Sequence, residues 1–125
     1  MDLIIAIIQP SKLDEVKDEL VKIGVQGATV TGAKGFGRQK GRPLSFLGLQ
    51  GFDRQPFSVD FIPKIKIEIV VSSDITDAVV DTIVKTAHSG KIGDGKVFVI
   101  PVKRAVRIRT GEENDEALSK EEALS

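Results

Sequence analysis

Two apolar runs of strand length, Leu3 to Ile8 and Ile65 to Val71, each lead into a segment whose apolar residues recur at helical spacing. This repetition constrains the chain more than any other feature, because it spells a strand–helix–strand unit twice. The first run is continuous and mostly β-branched, and reads as a strand buried on both faces. In the second, Ile65, Ile67, Ile69 and Val71 alternate against Lys66, Glu68 and Val70. Ser11 can cap a helix whose stripe is Leu13, Val16, Leu20 and Ile23, with charged residues opposite and Gly24 at the C′ position. Ser72 or Ser73 can cap a second helix, with Ile75, Val79, Ile83 and Thr86-Ala87 inward and Gly90 closing it. Thr29 to Lys34 and Val97 to Ile100 complete the two halves as strands. Val106 to Ile108 reads as a short fifth strand, with Arg107 and Arg109 on one face.

The natural solution is an α+β sandwich, with two helices on one face of a four-stranded antiparallel sheet. The other face has no helix to cover it. Residues such as Ile5, Ile7 and Val99 are expected to be exposed there unless subunits pack together, which predicts a homo-oligomer.

At 125 residues and 41% apolar content, the chain has the size and core of one domain. Its formal net charge is +0, which argues against non-specific nucleic-acid binding. With no cysteine, disulfides, thiolate metal sites and a cysteine nucleophile are excluded. The apolar start lacks a basic flank and is short for a signal peptide, and no run reaches the roughly 20 residues of a membrane span. A cytoplasmic protein without membrane insertion is expected.

Three clusters suit an anionic ligand. Between about residues 35 and 60, glycines and prolines break regular structure, and a loop that long points to function or disorder. It opens with Gly35-Phe36-Gly37-Arg38-Gln39-Lys40-Gly41, where glycine amides and two cations favour phosphate. This is not a P-loop, since no Lys-Ser or Lys-Thr pair ends it. The second cluster is Gly90-Lys91-Ile92-Gly93-Asp94-Gly95-Lys96. The third is Lys103, Arg104, Arg107 and Arg109, whose guanidinium groups can grip polyphosphate. Each has a plainer reading: a hairpin end with a glycine bulge, a helix cap with an Asp-Gly turn, and an edge strand protected by charge. Together, across both halves, they favour a ligand.

Catalytic signals are thin. His88 is the only histidine, and near a helix end it is expected to meet helix carbonyls. Most carboxylates lie on helix faces or in the tail. Glu68 stands among apolar residues in a strand and needs a partner if it points inward. No convincing base supports even a slow nucleotide hydrolase, and no enzyme is expected.

These clusters, in this order, resemble the PII signal-transduction family of nitrogen and carbon regulators. The resemblance runs from Ile4 to Glu113. Its most specific stretches are Thr29-Val30-Thr31 through Gly41, Asp60 to Val71, Thr86 to Val99, and Arg107-Ile108-Arg109-Thr110-Gly111-Glu112-Glu113. It implies a ferredoxin-like βαββαβ subunit over residues 1–112, with an acidic tail over 113–125 expected to be mobile or to dock weakly. It also implies a compact homotrimer with ATP or ADP in each cleft between subunits. By the same resemblance Ile7, Gly27, Ala28, Thr29, Glu68 and Val70 surround the adenosine. Gly35, Gly37, Arg38 and Gln39 meet the phosphates. Gly93, Gly95 and Lys96 line the opposite side, and Arg107 and Arg109 reach over from the neighbour. Mg²⁺, held by ATP and Gln39, recruits 2-oxoglutarate. Lys64 pairs with its distal carboxylate, and Gln39, Lys40, Gly41 and Gly93 hold the rest.

Residues of about 37–60 then correspond to the family's T-loop, the arm that meets partner proteins such as a transporter or a metabolic enzyme or regulator. The stretch departs from the family pattern and looks several residues longer. The usual loop tyrosine, a uridylylation site in many bacteria, is missing, and Phe52 cannot replace it chemically. Leu47-Gly48-Leu49-Gln50-Gly51 also lacks the arginine that such loops insert into ammonium channels and the serine phosphorylated in some relatives. Leu44, Phe46, Leu47, Leu49, Phe52 and Phe57 can instead form an adhesive surface for a different partner or fold back on the trimer. A nucleotide-only sensor, or an adaptor, is the alternative reading.

Overall fold

The computed structural model describes residues 1–37 and 61–119. The chain runs β1 (Asp2–Ile8), α1 (Leu13–Lys22), β2 (Thr29–Gly35), β3 (Ile62–Val71), α2 (Thr76–Ala87), β4 (Gly95–Pro101) and a four-residue α3 (Asp115–Leu118). The sheet order is β2-β3-β1-β4, and every neighbouring pair is antiparallel. This is the ferredoxin-like arrangement expected from the doubled pattern. No helix among the described residues is long and apolar enough to cross a membrane.

Alternation sorts the sheet into two faces. Ile4, Ala6 and Ile8 of β1 and Ile67, Ile69 and Val71 of β3 face the helices and are buried. They meet Val16 and Leu20 of α1 and Val79, Ile83 and Ala87 of α2 in one core. Burying each large aliphatic side chain contributes about 1.5–3 kcal/mol. The alternation read in β3 is borne out. β1 differs from the expectation of two buried faces: Leu3, Ile5 and Ile7 are only half-buried in the single chain. β3 also begins earlier than Ile65. Pro63 fits there because β1 has already ended at the Ile8–Ile65 pair, leaving β2 as its sole flank.

Several local expectations need correction. Val99 does not join Ile5 and Ile7 on the open face. It pairs with Ile4, and directly opposed residues share a face, so it lies on the helix side. Phe98, opposite Ile5, and Ile100, opposite Leu3, take its place. Ile23 and Ile75 fall outside the buried stripes, because each sits at a helix boundary. Thr76 is buried in α2 instead, and its hydroxyl donates to Asp2 Oδ2 at 2.6 Å. Neither Ser11, Ser72 nor Ser73 caps through its side chain; short 3-10 turns precede both long helices. Ser73 Oγ accepts a bond from the Met1 amine.

Gly24 does close α1. Its φ is 93°, its N–H donates to Val21 O, and Val25 N–H reaches Leu20 O, the paired bonds of a Schellman motif. Gly90 does not close α2, which ends as His88 turns extended.

Val106 to Ile108 is not a strand. Only an isolated bridge joins Val106 to Glu113, and the chain turns sharply between Arg107 and Gly111. With no ladder to alternate along, Arg107 and Arg109 lose their common face. The acidic tail is docked as far as Ser119.

Candidate functional site

Strand ends and glycine-rich turns build a cleft of about 440 Å³ on the open side of the sheet. Gly35 and Gly37 at the end of β2 form one wall, and Gly93 and Gly95 before β4 form the other. Ile7 supplies part of the floor, and Lys64 and Lys96 bring positive charge. Gly95 is obligatory here. Its φ is 110°, and it passes directly against the backbone of Ile7.

Within this cleft the Gly93 carbonyl accepts two side-chain donors, Lys64 Nζ at 2.5 Å and Gln9 Nε2 at 2.7 Å. Lys64 and Gly93 were both expected in the carboxylate site. Gln9 was not singled out, although strand alternation beyond Ile5 and Ile7 places it on their face. The aromatic lining was missed too: Phe36 and Phe98 border the cleft. Phe36 also meets Phe61 edge-to-face, with ring centroids 5.3 Å apart.

The turn leading into this cleft is tied by Asp94. One carboxylate oxygen accepts the Ser89 and Gly90 amides at 2.7 and 2.9 Å, and the other accepts the Ser89 hydroxyl. The hydroxyl bond first, and then the Ser89 amide, lower the Asp94 pKa to about 2. His88 leans towards the same carboxylate, Nδ1 to Oδ2 3.9 Å, rather than onto helix carbonyls. Glu68 faces the open side of the sheet and pairs with Lys66 at 3.4 Å, so it is not inward.

A second cleft, of about 660 Å³, lies elsewhere on the chain and holds Gly27, Val70 and Arg107. The Arg107 side chain is only 12% exposed. It donates to Glu112 Oε1 and to the Ala117 and Ser119 carbonyls. Glu112 is held below its ordinary pKa, chiefly by the Thr110 hydroxyl and then by Arg107. Thr29 and Glu68 are direct partners across β2 and β3, and Ala28 immediately precedes Thr29. Arg109 is exposed on the turn after Arg107.

Of the expected site residues, Ile7, Gly35, Gly37, Lys64, Gly93, Gly95 and Lys96 line the first cleft and Gly27, Val70 and Arg107 the second, while Ala28, Thr29, Glu68 and Arg109 line neither. Ile7 lies with the glycine walls and not with Gly27 and Val70. Arg38, Gln39, Lys40 and Gly41, with the expected Mg²⁺ position at Gln39, lie outside the described residues. Among the described residues no acidic or histidine cluster could hold a metal ion.

Comparison with known proteins settles the lineage. Residues 1–112 match the family model described as nitrogen regulatory protein P-II. The chain belongs to the P-II family. The nitrogen regulatory protein P-II of Klebsiella oxytoca is 56% identical over 113 residues, covering 90% of this chain and 96% of that protein. P-II 1 of Escherichia coli (strain K12) matches to the same extent. The Haemophilus influenzae P-II protein is 49% identical over 113 residues, again 90% of this chain and 96% of its own length. P-II proteins are signal-transduction regulators and not enzymes, in keeping with the thin catalytic signal in the sequence.

Proposed function

We propose that this P-II chain is a trimeric sensor holding ATP or ADP at each cleft between subunits. Mg-ATP then admits 2-oxoglutarate, and the ligand state selects the conformation of the segment spanning about residues 37–60. That segment meets proteins of nitrogen and carbon metabolism.

The observation that carries this reading is that Ile7, Gly35, Gly37, Gly93, Gly95 and Lys96 line one cleft and Gly27, Val70 and Arg107 another. One has glycine amides with Lys64 and Lys96, suited to phosphates. The other has backbone around Gly27 and Val70 beside the Arg107 guanidinium. Neither is a complete nucleotide site, and docking the second cleft of one protomer against the first of its neighbour makes one. The open sheet face gives the protomers a reason to associate, since Phe98 and Ile100 are 49% and 45% exposed there.

In this arrangement the glycine walls let backbone N–H groups approach the polyphosphate, and Lys96 adds charge. Arg107 and Arg109 close the site from the neighbour. Gln39 completes the Mg²⁺ shell begun by the phosphates. Lys64 pairs with the distal carboxylate of 2-oxoglutarate, while the backbone of Gln39, Lys40, Gly41 and Gly93 holds the remainder. Coupling to the partner segment requires each ligand to bind its conformations unequally.

Titration calorimetry with ATP, followed by 2-oxoglutarate and Mg²⁺, tests the reading. Heat in both steps is expected. No heat with ATP overturns it, and ATP heat without a 2-oxoglutarate response reduces it to a nucleotide-only sensor.

A further inference from the structure

The Arg107 side chain is bound to residues that follow it in its own chain. One terminal nitrogen donates to Glu112 Oε1 at 2.5 Å. The other donates to the Ala117 carbonyl at 3.3 Å and to the Ser119 carbonyl. Both carbonyls belong to the short segment around α3, and Asp115, Leu118 and Ser119 line the second cleft beside Gly27 and Val70. Residues 115–119 thus cover the guanidinium and border the cleft it belongs to.

The docking is weakly supported. Among the described residues, neither the core nor the side chains packed against it extend past Val97. A segment with few buried contacts opens at low cost. Asn114, from which the segment departs, holds φ 56° and ψ −129°. That backbone conformation is costly for a residue with a side chain, so strain at the junction works against the docked state. Arg107 is the strong part of the contact, and its partners on the segment are neutral carbonyls.

We propose that residues 115–119 form an autoinhibitory strap, which withholds the Arg107 guanidinium from a polyphosphate and is released when nucleotide binds. The inference rests on the reading above, that Arg107 meets nucleotide across the subunit boundary. A phosphate oxygen offers the guanidinium a charged acceptor in place of the two carbonyls, and charge-assisted bonds are roughly twice as strong as neutral ones. The exchange therefore favours the phosphate, at the expense of the docked segment. While the strap is docked, only the undocked fraction of the protein presents Arg107, and the apparent affinity falls by that fraction. Nucleotide occupancy is thereby reported at the C-terminal segment as well as at the cleft.

Amide exchange on the full chain, with and without saturating Mg-ATP, is the first test. Exchange over Asp115–Leu118 is expected to quicken at least about threefold when ATP is bound. Unchanged or slower exchange in the bound chain overturns the inference. The second test is calorimetry on a chain ending at Asn114, which retains every residue of the core. ATP is expected to bind it roughly threefold to tenfold tighter than the full chain. Unchanged or weaker binding overturns the inference. Removing the acidic residues beyond Asn114 also favours an anion through charge alone, so both lengths are compared again with Arg107→Ala. There the gain should shrink to within about twofold, because no guanidinium remains to be freed. An equal gain in both backgrounds assigns the effect to charge and overturns the inference. Absence of ATP heat in every chain overturns the parent reading, and the strap falls with it.

Discussion

Gly95 lies so close to Ile7 that a β-carbon built on it would stand 1.7 Å from the Ile7 carbonyl oxygen. The contact joins β4 to β1 where the glycine walls of the first cleft begin. Gly95→Ala therefore forces the strands apart and also strains a φ of 110°. A loss of at least about 2 kcal/mol is expected. Chemical denaturation at fixed protein concentration checks this, and ATP titration should show weakened binding in the fraction that folds.

Arg107 is expected to contribute to nucleotide binding through charge-assisted hydrogen bonds. Arg107→Ala should weaken ATP roughly tenfold to a hundredfold in calorimetry. It should also release the segment around Ala117 and Ser119, whose carbonyls the guanidinium now holds. Faster amide exchange over Asp115–Leu118 in the variant would report that release.

The Ser89–Asp94 tie should weaken in acid. Asp94 has a pKa lowered from 3.8 to about 2, so its charged form is favoured by folding. Its stabilising effect is complete above 3.8 and fades as pH falls from there towards about 2. Asp94→Asn should melt below the native chain at about pH 6, and the gap in Tm should close over this acid range. A gap that stays constant down to about pH 2 would remove Asp94 titration as its cause.

Phe98 tests the proposed association through the open face. Phe98→Asp puts a charge opposite Ile5, on a face where Leu3 and Ile7 are also half-buried. Sedimentation should show the native chain at trimer mass and the variant shifted to monomer. If both sediment as monomers, the inter-subunit site cannot form.

Much of the fold was legible because the hydrophobic period changes cleanly along the chain. The 2-residue period of β3 and the helical stripes of α1 and α2 predicted most of the core directly. The errors sit where period carries no information. Val99 was assigned to the wrong face because the pairing register, and not the local pattern, decides its neighbours. Arg107-Ile108-Arg109 alternates like a strand but has no ladder partner, and the turn at Gly111 wins. For the site, glycine and lysine clusters were readable as phosphate-friendly. The junction of Gln9, Lys64 and Gly93 was not, because it links three segments distant in sequence. The family resemblance supplied residue roles that neither spacing nor composition could.

The edge-to-face contact of Phe36 and Phe61 pins together the two points where the chain departs from the sheet and rejoins it. Closure of the intervening stretch is already secured by the β2–β3 ladder beneath. Doubling the length of such a stretch adds only about 0.6 kcal/mol of entropic cost. Insertions and rewritten sequence there are thus cheap for the scaffold. Under the proposed function, that stretch can be rewritten for new clients while the clefts below keep their residues.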